Sequence, residues 1–245
     1  MFEKLLNLVH KKQFHHNYKV DVHSHLIPGI DDGAQSMYES IVLIKKLKEL
    51  GFTKLITTPH IMSDKYPNNI NIIQNGFEKL KKELLKKKID IELEVASEYF
   101  LDKHFLNLLK KREILTFGDN YLLFELSYNS KPIFLESAIF EMISAGYKPV
   151  LAHPERYIFL HKNFDEYKWL KRKGLLFQIN LNSFSGYYSK EVQKIVNKLA
   201  EEGLIDFIGS DTHKERQLKH LEKNLHSKAI EKIFKNNTIL NESLL

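Results

Sequence analysis

From residue 19 onward, short apolar runs rich in β-branched residues alternate with longer stretches of helical period. Lys19–Val22, Lys54–Thr57, Ile91–Ala96, Tyr121–Phe124, Pro149–Ala152, Leu176–Asn180 and Asp206–Ile208 are the predicted strands. Ser36–Leu50 is a predicted helix: Ser36 suits the N-cap, with Glu39 three residues on, and Gly51 suits the C-cap. Asn71–Lys88 carries Ile72, Ile73, Phe77, Leu80, Leu84 and Leu85 along one face and lysines over much of the rest. Ser137–Ala145 and Lys190–Glu202 read as further outer helices. Seven strands alternating with helices predict an α/β fold of parallel strands and crossover helices. No repeat or Gly/Ser/Pro-rich linker interrupts residues 18–245, which read as one domain. Met1–Asn17 reads as a helical extension whose Phe2, Leu5, Leu6 and Val9 cover that domain.

The polar residues fall where such a fold concentrates chemistry. The first strand runs into Asp21-Val22-His23-Ser24-His25 and then Asp31-Asp32-Gly33, and the second ends Thr58-Pro59-His60. Later strands end in Glu98, in Glu125, in His153-Pro154-Glu155-Arg156 and in Ser210-Asp211-Thr212-His213. In a parallel barrel the C-terminal strand ends converge on one mouth. His-x-His on a strand places both rings on one face, as a chelate requires. A single strand-end histidine is more often a hydrogen-bonded structural residue. Their conjunction is different, because burying so many polar groups together without a counter-ion is costly. A polynuclear metal site accounts for all of them.

The motifs DVHSHLIPGIDDG, TPH, SEY, FELS, AHPERY and GSDTH, in that order, resemble the PHP (polymerase and histidinol phosphatase) superfamily of metal-dependent phosphoesterases. Within it they are similar to the manganese-dependent protein-tyrosine phosphatases of bacterial capsule synthesis. The resemblance implies a distorted (β/α)7 TIM-like barrel, with the metal site at the C-terminal strand ends. It implies a centre of two to three divalent ions, manganese foremost, with iron or zinc as alternatives. His23, His25, Glu98 and Asp211 would hold one ion, and Glu98 would bridge to a second held by Glu125 and His153. Asp32, His60 and His213 would hold a third. Asp31 would orient its neighbours or cap the turn, and Glu125 is either a ligand or an acceptor behind the ligands. Arg156 would grip the phosphoryl group, or else pair with Glu155 or another surface acid. The second phosphate-binding arginine of the family has no match at its usual place, which leaves Arg216, Lys214 or the loss of that role. Tyr99, Phe100, Tyr128, Tyr157, Phe184, Tyr187 and Tyr188 either flank a phosphotyrosine ring or pack.

Composition narrows the chemistry further. The chain has no cysteine, which excludes disulfides, thiolate metal sites and cysteine nucleophiles. Nitrogen and oxygen donors without sulfur suit Mn, Fe or Zn. The net charge of +6 comes from diffuse lysine rather than a basic tract, so no nucleic-acid partner is expected. No apolar run is long enough to span a bilayer and the first residues lack the pattern of a signal peptide, so the expected setting is the cytoplasm. The resemblance thus implies a phosphomonoesterase acting on a phosphotyrosine protein, a bacterial tyrosine kinase that regulates capsular or exopolysaccharide synthesis. The alternatives are a small-molecule phosphatase of histidinol-phosphate type, a PHP nuclease, or a metal-stabilised regulatory module without catalysis.

Overall fold

In the computed structural model, which describes residues 19–225 and 227–245, every strand pairing is parallel. The elements are β1 (Val20–Asp21), α1 (Met37–Glu49), β2 (Lys54–Thr57), β3 (His60–Ile61), α2 (Ile70–Lys86), β4 (Glu92–Val95), β5 (Glu98–Phe100) and α3 (Lys103–Lys111). There follow β6 (Tyr121–Glu125), α4 (Leu135–Ser144), β7 (Lys148–Ala152), α5 (Ile158–His161), α6 (Phe164–Arg172), β8 (Leu176–Asn180) and α7 (Lys190–Glu201). The chain closes with β9 (Phe207–Gly209), α8 (Glu215–Asn224) and α9 (Lys228–Asn236). The extension expected over Met1–Asn17 lies outside the described residues.

The strands form two sheets, β1-β2-β4 and β3-β5-β6-β7-β8-β9. Two of the seven predicted strand positions are broken in the middle. Thr58-Pro59 separates β2 from β3, because a proline cannot donate to the ladder. Beside it, Ala96-Ser97 separates β4 from β5, and the broken pair stays together: Ala96 N–H donates to Thr57 O and Glu98 N–H to Pro59 O. The single strand predicted over Ile91–Ala96 is therefore Glu92–Val95, with Glu98–Phe100 as a second strand after it. Counting each broken pair once gives seven positions in a distorted, TIM-like parallel barrel.

The seam between the last and first strands is thin. At the ligand end, Ser24 and Thr212 form one parallel bridge, with His25 N–H donating to Thr212 O (3.0 Å) and Asp211 N–H to His23 O (2.8 Å). Nearer the middle, the buried Asn241 amide donates to Val20 O and Ile208 O, both at 2.8 Å, and accepts from Ile208 N–H. One side chain thus joins β1 to β9.

Alternation along the strands divides the core. Val20, Val22, Ile56, Ala96, Leu123, Val150, Ala152 and Phe207 gather inside the ring. Leu55, Leu122, Phe124, Leu151, Phe177 and Ile208 face the helices. Ser36 caps α1 as predicted, its Oγ accepting from Glu39 N–H. Helix α2 starts one residue earlier than predicted, capped by Asn69. It buries Ile73, Phe77, Leu80 and Leu84 but leaves Ile72 and Leu85 exposed. Each of those two lies one residue, about 100° of rotation, beyond a buried neighbour, so the predicted stripe was too wide.

Candidate metal centre

All nine candidate donors meet at the C-terminal strand ends. His23 Nε2 lies 3.2 Å from His25 Nε2, 3.1 Å from Glu98 Oε2 and 3.6 Å from Asp211 Oδ1. His25 Nε2 lies 3.4 Å from Glu98 Oε2 and 3.7 Å from Asp211 Oδ1. Metal–ligand bonds of about 2.0–2.2 Å set neighbouring donor atoms roughly 3.0–3.6 Å apart, so His23, His25 and Asp211 have the spacing of one coordination shell, and Glu98 Oε2 lies at the same spacing from the two histidines. On the other side of Glu98, His153 Nε2 stands 3.0 Å from Oε1 and 3.9 Å from Glu125 Oε2. At the mouth, Asp32 Oδ1 is 3.5 Å from His60 Nε2 and 3.4 Å from His213 Nε2. His60 differs from the implied partition. Its Nδ1 also points at Glu98 (3.2 Å) and Glu125 (3.4 Å), so the ring stands between the second and third groups.

Local backbone explains how these side chains converge. By alternation His153 would follow Leu151 and face the helices. Instead its φ of 35° ends the strand and turns the imidazole into the cleft. Asp211 is likewise left-handed, with φ 49°. Gly33 allows the turn after the first histidines to close, since a Cβ there would lie 2.3 Å from His25 O.

The histidines are held from behind. Asp31 Oδ2 accepts from His25 Nδ1 at 2.7 Å and from His60 N–H at 3.1 Å, while Oδ1 accepts from Gly33 N–H. Gln178 Oε1 lies 2.7 Å from His23 Nδ1. His213 Nδ1 lies 3.0 Å from Asp211 O. Each contact directs a proton to Nδ1 and leaves Nε2 as a lone-pair donor facing the cleft. Gln217 fixes the last loop, its Oε1 accepting from His213 and Lys214 N–H and its Nε2 donating to Asp211 O. Sequence reasoning missed Gln178 and Gln217. Neither stands in a metal-ligand pattern, and Gln178 is 155 residues from its histidine.

The donor set fits divalent cations. His60 Nδ1 is buried without a hydrogen-bond partner, although carboxylate oxygens flank it. Burial pushes the His60 ring down to about 4, so it presents a neutral imidazole. Burial, and then the charge of Glu98, push Glu125 well above the usual carboxylate range. Glu98 goes the other way. Burial alone would raise it, but the interactions with His23 and His60 and the bonds to His153 and His23 hold it well below. Two carboxylates forced apart in this way are relieved by a cation between them.

Arg156 lies in the cleft wall, its Nη1 3.1 Å from Asp211 Oδ2. The alternative partner, Glu155, is buried and turned away, accepting from Asn180 N–H and Ser183 Oγ. Arg216 is exposed at the rim, where it makes no salt bridge among the described residues. Lys214 is tied back, its Nζ 2.7 Å from Gly33 O. Of the seven aromatics, Tyr99, Tyr157 and Phe184 are buried packing. Phe100, Tyr128, Tyr187 and Tyr188 line the cleft of about 780 Å³, as does Tyr66, which sequence reasoning did not single out and whose ring stacks on His60.

The fold and the cleft define a class: a parallel barrel whose strand ends carry a candidate histidine–carboxylate metal site beside a half-buried arginine. The chain belongs to the capsular polysaccharide synthesis family CpsB/CapC, whose family model matches residues 19–241. CapC of Staphylococcus aureus is 31% identical over 195 residues, covering 79% of this chain and 76% of CapC. The tyrosine-protein phosphatase YwqE of Bacillus subtilis is 30% identical over 195 residues, covering 79% of this chain and 77% of YwqE. One solved structure comes from work on YwqE of B. subtilis and CpsB of Streptococcus pneumoniae, described as unique metal-dependent tyrosine phosphatases. It matches 90% of this chain and 96% of its own, with a TM-score of 0.76 and 28% identity. No helix among the described residues is long and apolar enough to cross a membrane.

Proposed function

We propose that this chain is a metal-dependent protein-tyrosine phosphatase that binds two to three divalent ions, manganese foremost. Its substrate is the phosphotyrosine of a bacterial tyrosine kinase that regulates capsular or exopolysaccharide synthesis, in the cytoplasm. The observation that carries this reading is the convergence of four overlapping groups of histidine and carboxylate donors, two of which share Glu98, with the Arg156 guanidinium on the same wall. The phosphatases among its relatives support it.

His23, His25, Glu98 and Asp211 would hold one ion, Glu98 with Glu125 and His153 a second, and Asp32, His60 and His213 a third. Bound divalent ions supply a water of lowered pKa and neutralise phosphoryl oxygens. The protein's own part is positioning. The Arg156 guanidinium gives one N–H to Asp211 and makes no other hydrogen bond among the described residues, so donors remain for a phosphoryl oxygen. His23, His25 and Glu98 are fully buried, whereas the Asp32 side chain is 53% exposed. The phosphoester therefore enters past Asp32 and meets a floor closed to bulk water. Arg216, free at the rim, is better placed than the tethered Lys214 to take a second phosphoryl contact.

The test compares turnover of a phosphotyrosine peptide, histidinol phosphate and single-stranded DNA by the manganese-loaded chain. Preference for the peptide supports the reading, and preference for either other substrate refutes it. Arg156→Ala should lower kcat/KM by on the order of 10²–10³-fold while leaving metal content unchanged.

A further inference from the structure

We propose that Tyr128 and Tyr188 are positioning residues that hold the Arg156 guanidinium ready for the phosphoryl group; the inference rests on the phosphatase reading above. The Arg156 Cζ atom lies 4.7 Å from the centroid of the Tyr128 ring and 4.3 Å from that of Tyr188. Both distances fall within cation–π range, and the site is largely closed to solvent. A ring face engaged with the guanidinium in this way is not open to a substrate ring, the role the sequence had left to these tyrosines.

Both rings are themselves fixed. The Tyr128 ring packs against His153 and Tyr157, and Tyr128 O accepts from Ile158 N–H, two residues beyond Arg156. The Tyr188 ring meets Tyr187 edge-on at 5.1 Å, and Tyr187 in turn meets His220 at 4.9 Å. The Tyr188 hydroxyl lies 3.3 Å from Asp211 Oδ2, the same oxygen that accepts from Arg156 and from Asn180 Nδ2 (2.7 Å). Asn180 Nδ2 also donates to the Tyr188 hydroxyl. Asp211 therefore divides its two oxygens. Oδ1 faces His23, His25 and His213, and Oδ2 anchors the arginine and its tyrosine. A long, flexible side chain is thus locked before substrate arrives, so little ordering is left to oppose binding.

The experiment uses the full, manganese-loaded chain and a phosphotyrosine peptide. Tyr128→Leu, Tyr188→Leu and Tyr188→Phe are each made alone and in an Arg156→Ala background. Turnover, inhibition by inorganic phosphate and metal content are measured for each. Each leucine variant alone should lower kcat/KM on the order of tenfold and weaken phosphate inhibition in parallel, with metal content unchanged. Tyr188→Phe keeps the ring and should stay within about threefold of the parent. In the Arg156→Ala background the leucine changes should cost nothing further, because a positioning residue has nothing left to position. Equal losses in both backgrounds, or no loss in the parent, overturn the proposal alone. Full activity of Arg156→Ala overturns both this proposal and the phosphate role beneath it.

Discussion

Asp31 touches no phosphoryl group and is not one of the nine donors, yet Asp31→Asn should cost the protein its metals. The carboxylate accepts three hydrogen bonds, from His25 Nδ1, Gly33 N–H and His60 N–H. An amide of the same shape has only one oxygen. If that oxygen takes the place of Oδ2, the new NH2 faces the Gly33 N–H, which approaches to 2.9 Å. If it is flipped, the NH2 faces the His25 ring and the His60 amide instead. Either way a buried donor is left without an acceptor, at a cost of about 1–3 kcal/mol. The His25 imidazole also loses the negative charge behind it, and removing such a partner weakens metal affinity by roughly 10–100-fold. We expect manganese affinity, measured by competition with a chelator, to fall within that range. We expect the thermal midpoint in excess chelator to fall as well. Asp32→Asn is the control. Asp32 is half-exposed and, among the described residues, makes ion pairs only to His60 and His213, so its loss should weaken binding but leave stability in chelator unchanged. Unchanged manganese affinity in Asp31→Asn would refute the reading that Asp31 fixes the His25 ring.

Three further outcomes follow from the same geometry. Gly209→Ala sets a Cβ 2.7 Å from His23 Cβ and from Gln178 Nε2, so it should displace the His23 ring and lower manganese stoichiometry; full stoichiometry at wild-type affinity would contradict this. Asn241→Ala leaves Val20 O, Ile208 O and Ile208 N–H unpaired in a buried seam, and urea unfolding should show a loss of about 3 kcal/mol or more; a loss under about 1 kcal/mol would mean the seam is held elsewhere. Excess chelator should abolish phosphatase activity and lower the thermal midpoint. Manganese at about 100 times its dissociation constant should restore both, adding about 2.7 kcal/mol per site, whereas thiol alkylation should do nothing in a chain without cysteine.

What could be read from the sequence was whatever follows a short period or sits at a strand end. Val20 to His25 alternate, so His23 and His25 fall on one face, and their Nε2 atoms do meet at 3.2 Å. The Pro59 break was visible as a residue but not as a device. It makes His60 begin a strand of its own beside Glu98, and that register sets its Nδ1 against two carboxylates. Partnerships across the barrel left no local trace. Gln178 supports His23, Asn241 joins the first strand to the last, and Gln217 fixes the loop of Asp211 and His213. Each is a single amide whose neighbours in sequence give no hint of its partner. The tyrosines were legible as aromatics near the mouth, but the sequence could not say that two of them face an arginine.

The two candidate ligand positions with left-handed backbone show how the barrel reconciles stability with the proposed chemistry. Non-glycine residues at His153 (φ 35°) and Asp211 (φ 49°) cost on the order of 1–3 kcal/mol each, and such conformations persist only where the surroundings over-determine them. Both are so determined. His153 N–H donates to Gln178 O at 2.7 Å, and His153 O accepts from Arg156 N–H at 2.9 Å. Asp211 N–H donates to His23 O, and Asp211 O accepts from Gln217 Nε2. These bonds come from the strands on either side and from the loops that carry the arginine and the last histidine. The strain at each donor is therefore opposed by the framework that positions the other donors. A substitution that relaxes one of these backbones moves a ligand and an element supporting its neighbours together, so losses of metal and of stability should be coupled at the strand ends and separable at the exposed rim residues Asp32 and Arg216.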